Sequence, residues 1–372
     1  MTTPRTDRRG LCEVSAYEFV CGGEYMPQPI RRPQVLKPGD TVAVLSPSWG
    51  GPHAYPHIYE QGLATLRGWG LRIKEYPTTR MADAELTRHP EWRARDFNHA
   101  FADPEVNAVF ASIGGDDCMR LLPWLDDALI GRNPKLLMGF SDTTTLLWFA
   151  HLQGMVTFHG PSVMAGLAQV AYLPTYYRQH YHHMLFAPTQ TYTYQQALQY
   201  SDGYADWRDT TQRNRPKAWQ YSRGWQWLQG AGKVRGQLLG GCIEVLEFTK
   251  GTRYWPTADF WYHKILFLEM SEEKPSTIQV MRWLRNYGLQ GVFDRISGLI
   301  IGRPRDYTVN EQISLDAAIV RVVRDEFGAK SLPIITNVDV GHTEPQLIVP
   351  LGVQAEIDCQ AQTLTLCEPW LR

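Results

Sequence analysis

The chain has 372 residues, 44% hydrophobic and 20% charged, and its 37 basic and 38 acidic residues leave a formal net charge of -1. This composition is ordinary for a globular protein, and the length predicts two domains rather than one. The even charge excludes the basic footprint of a protein that grips a nucleic acid polymer or an anionic membrane surface.

Residues 1–34 read as an N-terminal extension, rich in Arg, Pro and Gly and without sustained periodicity. Arg5, Arg8 and Arg9 are followed by an apolar stretch broken at Glu13, Ser15 and Glu18, so neither a secretory signal nor a membrane span is expected. Leu36-Lys37-Pro38-Gly39-Asp40 is a turn, and 41–45 a buried strand ended by Ser46-Pro47. Ile58, Leu63, Leu66 and Trp69 recur at roughly helical spacing. Strands are then predicted over 71–76, 108–113 and 135–140, with helices over 92–101, part of 121–129, and 143–152. Alternating strands and helices predict parallel pairing in a layered α/β domain over 35–164.

Residues 165–233 are rich in Tyr, Gln, Trp and Arg, with Trp207, Trp219, Trp225 and Trp227 among them. They read as a domain connection with one long irregular excursion. A second α/β domain is predicted over 234–372. Gln237-Leu238-Leu239 leads into Gly240-Gly241 and a helix through 248, and strands cover 264–268, 296–301 and 333–338. Helices cover 277–287 and 315–327, the latter with Ser314 as N-cap. Alternation at Val353, Ala355 and Ile357, and at Leu364 and Leu366, predicts closing antiparallel strands.

Cys12, Cys21, Cys118, Cys242, Cys359 and Cys367 are scattered without C-x-x-C spacing, which suits reduced thiols in a cytoplasm. His180, His182 and His183 cluster, but no His-Glu-x-x-His pattern exists and no metal is expected.

Three segments carry chemistry. Gly139-Phe140-Ser141-Asp142 places a serine between a strand and a helix, where the N–H groups of a helix N-terminus can meet an oxyanion. Leu266-Phe267-Leu268-Glu269 ends a strand on a carboxylate, and Gly341-His342-Thr343-Glu344-Pro345 holds an imidazole. A serine needs a base, and the base a carboxylate that fixes its tautomer. Each segment also has an ordinary reading: Ser141 as a helix cap, Glu269 as a loop charge beside Glu272, Glu273 and Lys274, and His342 as a surface residue. Ile113-Gly114-Gly115-Asp116 is either a turn or a second oxyanion donor at the Gly115 N–H. Ser46-Pro47-Ser48-Trp49-Gly50-Gly51 lacks the Gly-x-Gly-x-x-Gly of a dinucleotide site.

In order along the chain, Leu36-Lys37-Pro38-Gly39-Asp40, Ser112-Ile113-Gly114-Gly115, Gly139-Phe140-Ser141-Asp142-Thr143-Thr144, Phe158-His159-Gly160-Pro161, Gly236-Gln237-Leu238-Leu239-Gly240-Gly241, Leu268-Glu269 and Gly341-His342-Thr343-x-Pro345 resemble the LD-carboxypeptidase family of serine peptidases, and within it the branch around the microcin C self-immunity peptidases. The resemblance implies an N-terminal layered α/β domain with a parallel sheet, and a C-terminal α/β domain with a mixed sheet or swivelling barrel. It implies Ser141 as nucleophile, His342 as base and Glu269 as its orienting acid, with the N–H groups of Gly115 and Asp142 as oxyanion hole. It further implies a cytoplasmic homodimer with no cofactor, acting on an amide in a murein peptide or a peptidyl- or aminoacyl-nucleotide. In the microcin-like branch the loop corresponding to the Trp-rich stretch stacks on a base, which nominates Trp207, Trp219 and Trp225 for substrate. The chain departs from the murein members in having Ser112-Ile113 where they carry Arg before the paired glycines, and from the usual Gly-Gly-Asn in having Cys242. A substrate carboxylate would need another cation, with Arg120, Arg303 and Arg305 as candidates. A non-catalytic α/β ligand-binding protein is the alternative.

Overall fold

The computed structural model describes residues 30–212 and 215–372, so most of the extension lies outside the described residues. The first sheet is built from β1 (Thr41–Leu45), β2 (Arg72–Glu75), β3 (Val106–Ala111), β4 (Leu136–Gly139) and β5 (Thr157–His159). They run parallel in the spatial order 5-4-3-1-2. Parallel neighbours need crossovers, which the helices Pro56–Gly68, Pro90–Ala102 and Thr144–Leu152 help to supply. β1 and β4 are buried along their whole length, as strands covered on both faces must be.

The connection is more ordered than one irregular excursion. Tyr177, Tyr181, Met184 and Leu185 fall on one buried face of a helix, Thr175–Phe186, whose Tyr and His content masks the aliphatic pattern. Then come β6 (Tyr192–Thr193), β7 (Gln199–Tyr200), β8 (Gln220–Tyr221) and β9 (Gln226–Gln229). β7 and β8 pair with each other as a separate two-stranded sheet.

The second sheet centres on four parallel strands, β10 (Lys233–Cys242), β11 (Lys264–Glu269), β12 (Gly298–Gly302) and β13 (Ile334–Val338). β14 (Val349–Leu351) leaves this sheet and pairs antiparallel with β5 of the first. β15 (Gln354–Asp358) and β16 (Thr363–Leu366) return to the second sheet as antiparallel strands, giving the order 6-16-15-10-11-12-13-9. The chain is thus a mixed α/β protein with one mainly parallel and one mixed sheet.

Most strand ends shift by one or two residues, as β3 and β12 do, and two helix starts differ more tellingly. β10 runs through Gly240 and Gly241, and the helix begins only at Ile243. The helix expected to start at 315 begins at Val309. Thr308 Oγ1 accepts from the Glu311 N–H at 3.3 Å, and Glu311 Oε2 accepts from the Thr308 N–H at 2.7 Å. That reciprocal box satisfies two N–H groups at once, whereas the Ser314 hydroxyl donates back to the Asn310 carbonyl inside the helix. No helix among the described residues is long and apolar enough to cross a membrane.

Candidate active site

β4 ends at Gly139, Phe140 is extended, and Ser141 turns abruptly with φ 58 before the helix Thr144–Leu152. A non-glycine residue in this left-handed region costs about 1–2 kcal/mol, so the surrounding packing must hold it there. The turn sets the serine at the carboxyl end of a parallel strand, where α/β sheets form ligand clefts. The following helix has no side-chain cap, so Ser141 does not serve as one. Asp142 points its carboxylate inward, accepting from Ser48 Oγ and the Cys118 N–H, each at 2.7 Å. Burial raises the Asp142 carboxyl above its ordinary pKa, against those hydrogen bonds. Its backbone is left at the start of the helical turn. A Cβ placed on Gly114 would lie 3.1 Å from Ser141 Oγ and 3.5 Å from the Asp142 nitrogen, so the Gly114-Gly115 backbone abuts the serine directly.

Glu269 closes β11 with no exposed surface, and its Oε2 sits 2.7 Å from Nδ1 of His342. Gly341 has φ 101, and a Cβ there would lie 2.3 Å from the same carboxylate oxygen. Only glycine lets the His342 loop approach Glu269 so closely. His159, at the end of β5, brings Nε2 to 3.5 Å from Glu269 Oε1. Burial alone would raise the Glu269 carboxyl, but the charge of His342 and the contact with His159 outweigh it and hold it well below the usual range. Burial likewise opposes charge on His342, and Glu269 together with Glu272 overcomes it and raises the imidazole. Glu272 Oε2 is 2.9 Å from His342 Nε2, an ion-pair contact without hydrogen-bond alignment.

Ser141 and His342 line one cavity of about 430 Å³ together with Gly114, Gly115 and Phe140. The Phe140 ring meets the His342 ring edge-on, with centroids 5.0 Å apart, which keeps the imidazole beside the serine turn. Glu269 stands behind His342, off the cavity wall. The opposite wall is aromatic: Trp49 and Trp207 are near-parallel at 6.4 Å, Tyr204 lies over Trp207 at 6.1 Å, and Tyr55 meets Trp207 edge-on.

The other nominated tryptophans are not on this wall. Trp225 is buried, its Nε1 donating to Asp339 Oδ2 at 2.9 Å, and Trp219 packs half-buried against the core. Of the three arginines, Arg305 lines the cavity, Arg303 is buried in an ion pair with Asp339, and Arg120 is a surface partner of Asp117. Cys242 is buried, its thiol directed to Glu244 at 3.3 Å. His180 spends its ring on the Tyr192 hydroxyl and the Ile348 N–H. No group of three or more potential ligands among the described residues could hold a metal ion. Trp49, Tyr55 and Tyr204 escape a sequence reading because they are ordinary loop aromatics. Glu272 reads as one of three adjacent loop charges, and His159 stands in the family-like segment Phe158-His159-Gly160-Pro161 with no role attached.

A serine on a strained turn, backbone abutting its hydroxyl, and an imidazole backed by a buried carboxylate form the parts of an acyl-transfer site. Comparisons with known proteins give the family. Residues 42–160 match the LD-carboxypeptidase N-terminal domain and residues 235–357 the LD-carboxypeptidase C-terminal domain. The microcin C7 self-immunity protein MccF of Escherichia coli is 27% identical, covering 90% of this chain and 95% of that protein. A probable murein peptide carboxypeptidase of Bacillus subtilis is 28% identical, covering 90% and 94%. A solved structure of MccF in complex with aspartyl sulfamoyl adenosine superposes with a TM-score of 0.81 at 27% identity, covering 92% of this chain and all of that one. With both halves matched in order, the chain belongs to the LD-carboxypeptidase family of serine peptidases and is an enzyme of that carboxypeptidase class.

Proposed function

We propose that the enzyme hydrolyses an amide joining an aminoacyl or peptidyl group to a nucleotide, with Ser141 as nucleophile, His342 as general base and Glu269 as its orienting acid. His342 Nε2 takes the hydroxyl proton as Ser141 Oγ attacks the scissile carbonyl. Glu269, bonded to Nδ1, fixes the tautomer and stabilises the imidazolium. The N–H groups of Gly115 and Asp142 meet the oxyanion. The imidazolium returns its proton to the leaving amine, and water then releases the acyl group by the reverse sequence.

The aromatic wall of Trp49, Trp207 and Tyr204 carries the choice of substrate. Indole faces suit a purine, stacking being worth about 1–3 kcal/mol per base, whereas a murein peptide has no flat group to place there. The MccF complex named above, with its sulfamoyl adenosine ligand, supports the same reading. The homodimer and cytoplasmic location implied by the resemblance belong to this proposal. The test is hydrolysis of an aminoacyl sulfamoyl adenosine against a murein tetrapeptide by the wild-type protein and by Ser141→Ala. Turnover of the nucleotide amide that vanishes in Ser141→Ala supports the reading. Turnover of the tetrapeptide alone would replace the substrate with a murein peptide, and full activity in Ser141→Ala would end the mechanism.

A further inference from the structure

Glu272 occupies a place the mechanism above needs vacant. Its carboxylate stands 2.9 Å from Nε2 of His342, the nitrogen that must face the serine hydroxyl during attack. Its side chain is 54% exposed, so it is not fixed by packing, unlike the fully buried Glu269 on the other ring nitrogen. The groups around His342 are Glu269 at the end of β11, Glu272 on the loop that follows, Arg305 after β12, and Ser141, Tyr55, Tyr204 and Asp206 on the shared cavity wall; His159 from β5 stands behind Glu269. Of these, only Glu272 also lines a second space.

That space is an adjoining cavity of about 310 Å³, sharing Trp49, Gly115 and Glu272 with the first and lined also by Asp83, Asp116, Asp117 and Glu273. Arg93 and Arg120 answer Asp117, and no lysine or arginine stands on the lining itself. Glu272 therefore sits at a junction. On one side is the catalytic imidazole, on the other an acidic chamber suited to an ammonium group.

We propose that Glu272 is a specificity-determining residue that holds the Nε2 side of His342 in the free enzyme and exchanges it for a cationic amino group on the acyl part of the substrate. Held between two carboxylates, the imidazole keeps both protons and cannot act as a base. An ammonium group entering the acidic chamber draws Glu272 toward itself. The imidazolium then loses its second counter-charge, its Nε2 proton passes to bulk water, and the freed nitrogen can accept the proton of Ser141. A substrate with a lysine-like or otherwise amino-bearing acyl group would release its own base, and an uncharged isostere would not. The inference rests on His342 being the base, as proposed above.

The test reads the histidine rather than turnover, so it stands apart from the substrate assay. The His342 ring is titrated by NMR in the full-length, ligand-free protein and in Glu272→Gln, a change at a half-exposed loop position. An opposite charge at this range shifts a pKa by roughly one to three units, so the wild-type ring is expected to titrate that much higher than the ring in Glu272→Gln. Saturating L-lysinamide should lower the wild-type value toward that of the variant, and its doubly acetylated, uncharged derivative should leave it unchanged. Equal titration in wild type and Glu272→Gln would overturn the hold on Nε2. A wild-type value unmoved by lysinamide, or an equal drop in Glu272→Gln, would overturn the exchange.

Discussion

Glu269→Gln isolates the charge behind His342, the proposed general base. The side chain keeps its shape, and the Gly341 backbone packs so close to the carboxylate that an amide has little room to rotate away. What changes is the bond to Nδ1, now 2.7 Å and charge-assisted. A hydrogen bond to a charged group is worth about 1.5–3 kcal/mol against roughly 1 for a neutral one. Losing that difference as the imidazolium forms costs about 0.5–2 kcal/mol, or roughly 2–30-fold in rate. An amide can also turn its NH2 toward Nδ1 and impose the wrong tautomer, which brings the expected loss of kcat to about 10²–10⁴. The sign of the pH effect follows from the same contact. Glu269 raises the His342 pKa, and activity needs the neutral ring, so kcat/KM climbs as pH rises through that value. Removing the charge lowers the His342 pKa and moves the acid limb of the profile to lower pH, even as the plateau falls. The assay is kcat/KM against pH on an aminoacyl sulfamoyl adenosine, with circular dichroism to confirm folding. Wild-type turnover with an unmoved acid limb in a folded variant would refute the role given to Glu269.

Ser141→Ala and His342→Ala should each lower kcat by about 10³ or more, and the double variant little further, because the two act as one unit; additive losses in a double-mutant cycle would contradict the pairing. Trp207→Ala should raise KM for the nucleotide amide about tenfold, the worth of one stacked ring, with little change in melting temperature. Trp225→Phe leaves the buried Asp339 carboxylate short of a donor and should lower the melting temperature while sparing KM; the reverse pattern would exchange the roles of the two rings. Prolonged chelation should leave activity unchanged, since the chemistry is assigned to Ser141 and His342, and loss restored by zinc would overturn that assignment.

Legibility varied with how local each determinant is. The strand, turn and helix around Ser141 are written in a dozen consecutive residues, so the position of the serine could be read, although nothing in those residues announces φ 58. Glu269 and His342 lie 73 residues apart, and no periodicity links them; the ordered family segments nominated both. The tryptophans show the limit most clearly. Trp207 and Trp225 sit in the same aromatic stretch, and what separates them is tertiary: one stacks beside Trp49 on the cavity wall, the other finds a buried Asp339 from beyond β13. The helix Thr175–Phe186 was hidden because tyrosine and histidine occupy positions where aliphatic residues would have shown the period.

The course of β14 explains how a site shared by two sheets can stay in register. Ser141 follows β4 in the first sheet, whereas Glu269 and His342 come from the second. Shortly after His342 the chain crosses over, and Val349 pairs with His159 on β5, the strand that lies beside β4. The loop bearing the imidazole is thereby tied by backbone hydrogen bonds to the strand next to the serine. A second tie runs between the Ser201 and Glu344 backbones, which exchange hydrogen bonds of 2.8 and 2.9 Å and fix the Tyr204 wall to the same loop. A third joins the Cys242 N–H to Thr144 Oγ1 at 3.2 Å, linking the end of β10 to the start of the helix after Ser141. Ser141, His342 and Glu269 are therefore positioned by paired backbone and buried contacts, the kind of support that the roles proposed for them require. Glu272 belongs to none of these ties. Of the two carboxylates on the imidazole it is the exposed one and Glu269 the buried one, so the exchange proposed for Glu272 would leave Ser141, His342 and Glu269 in place.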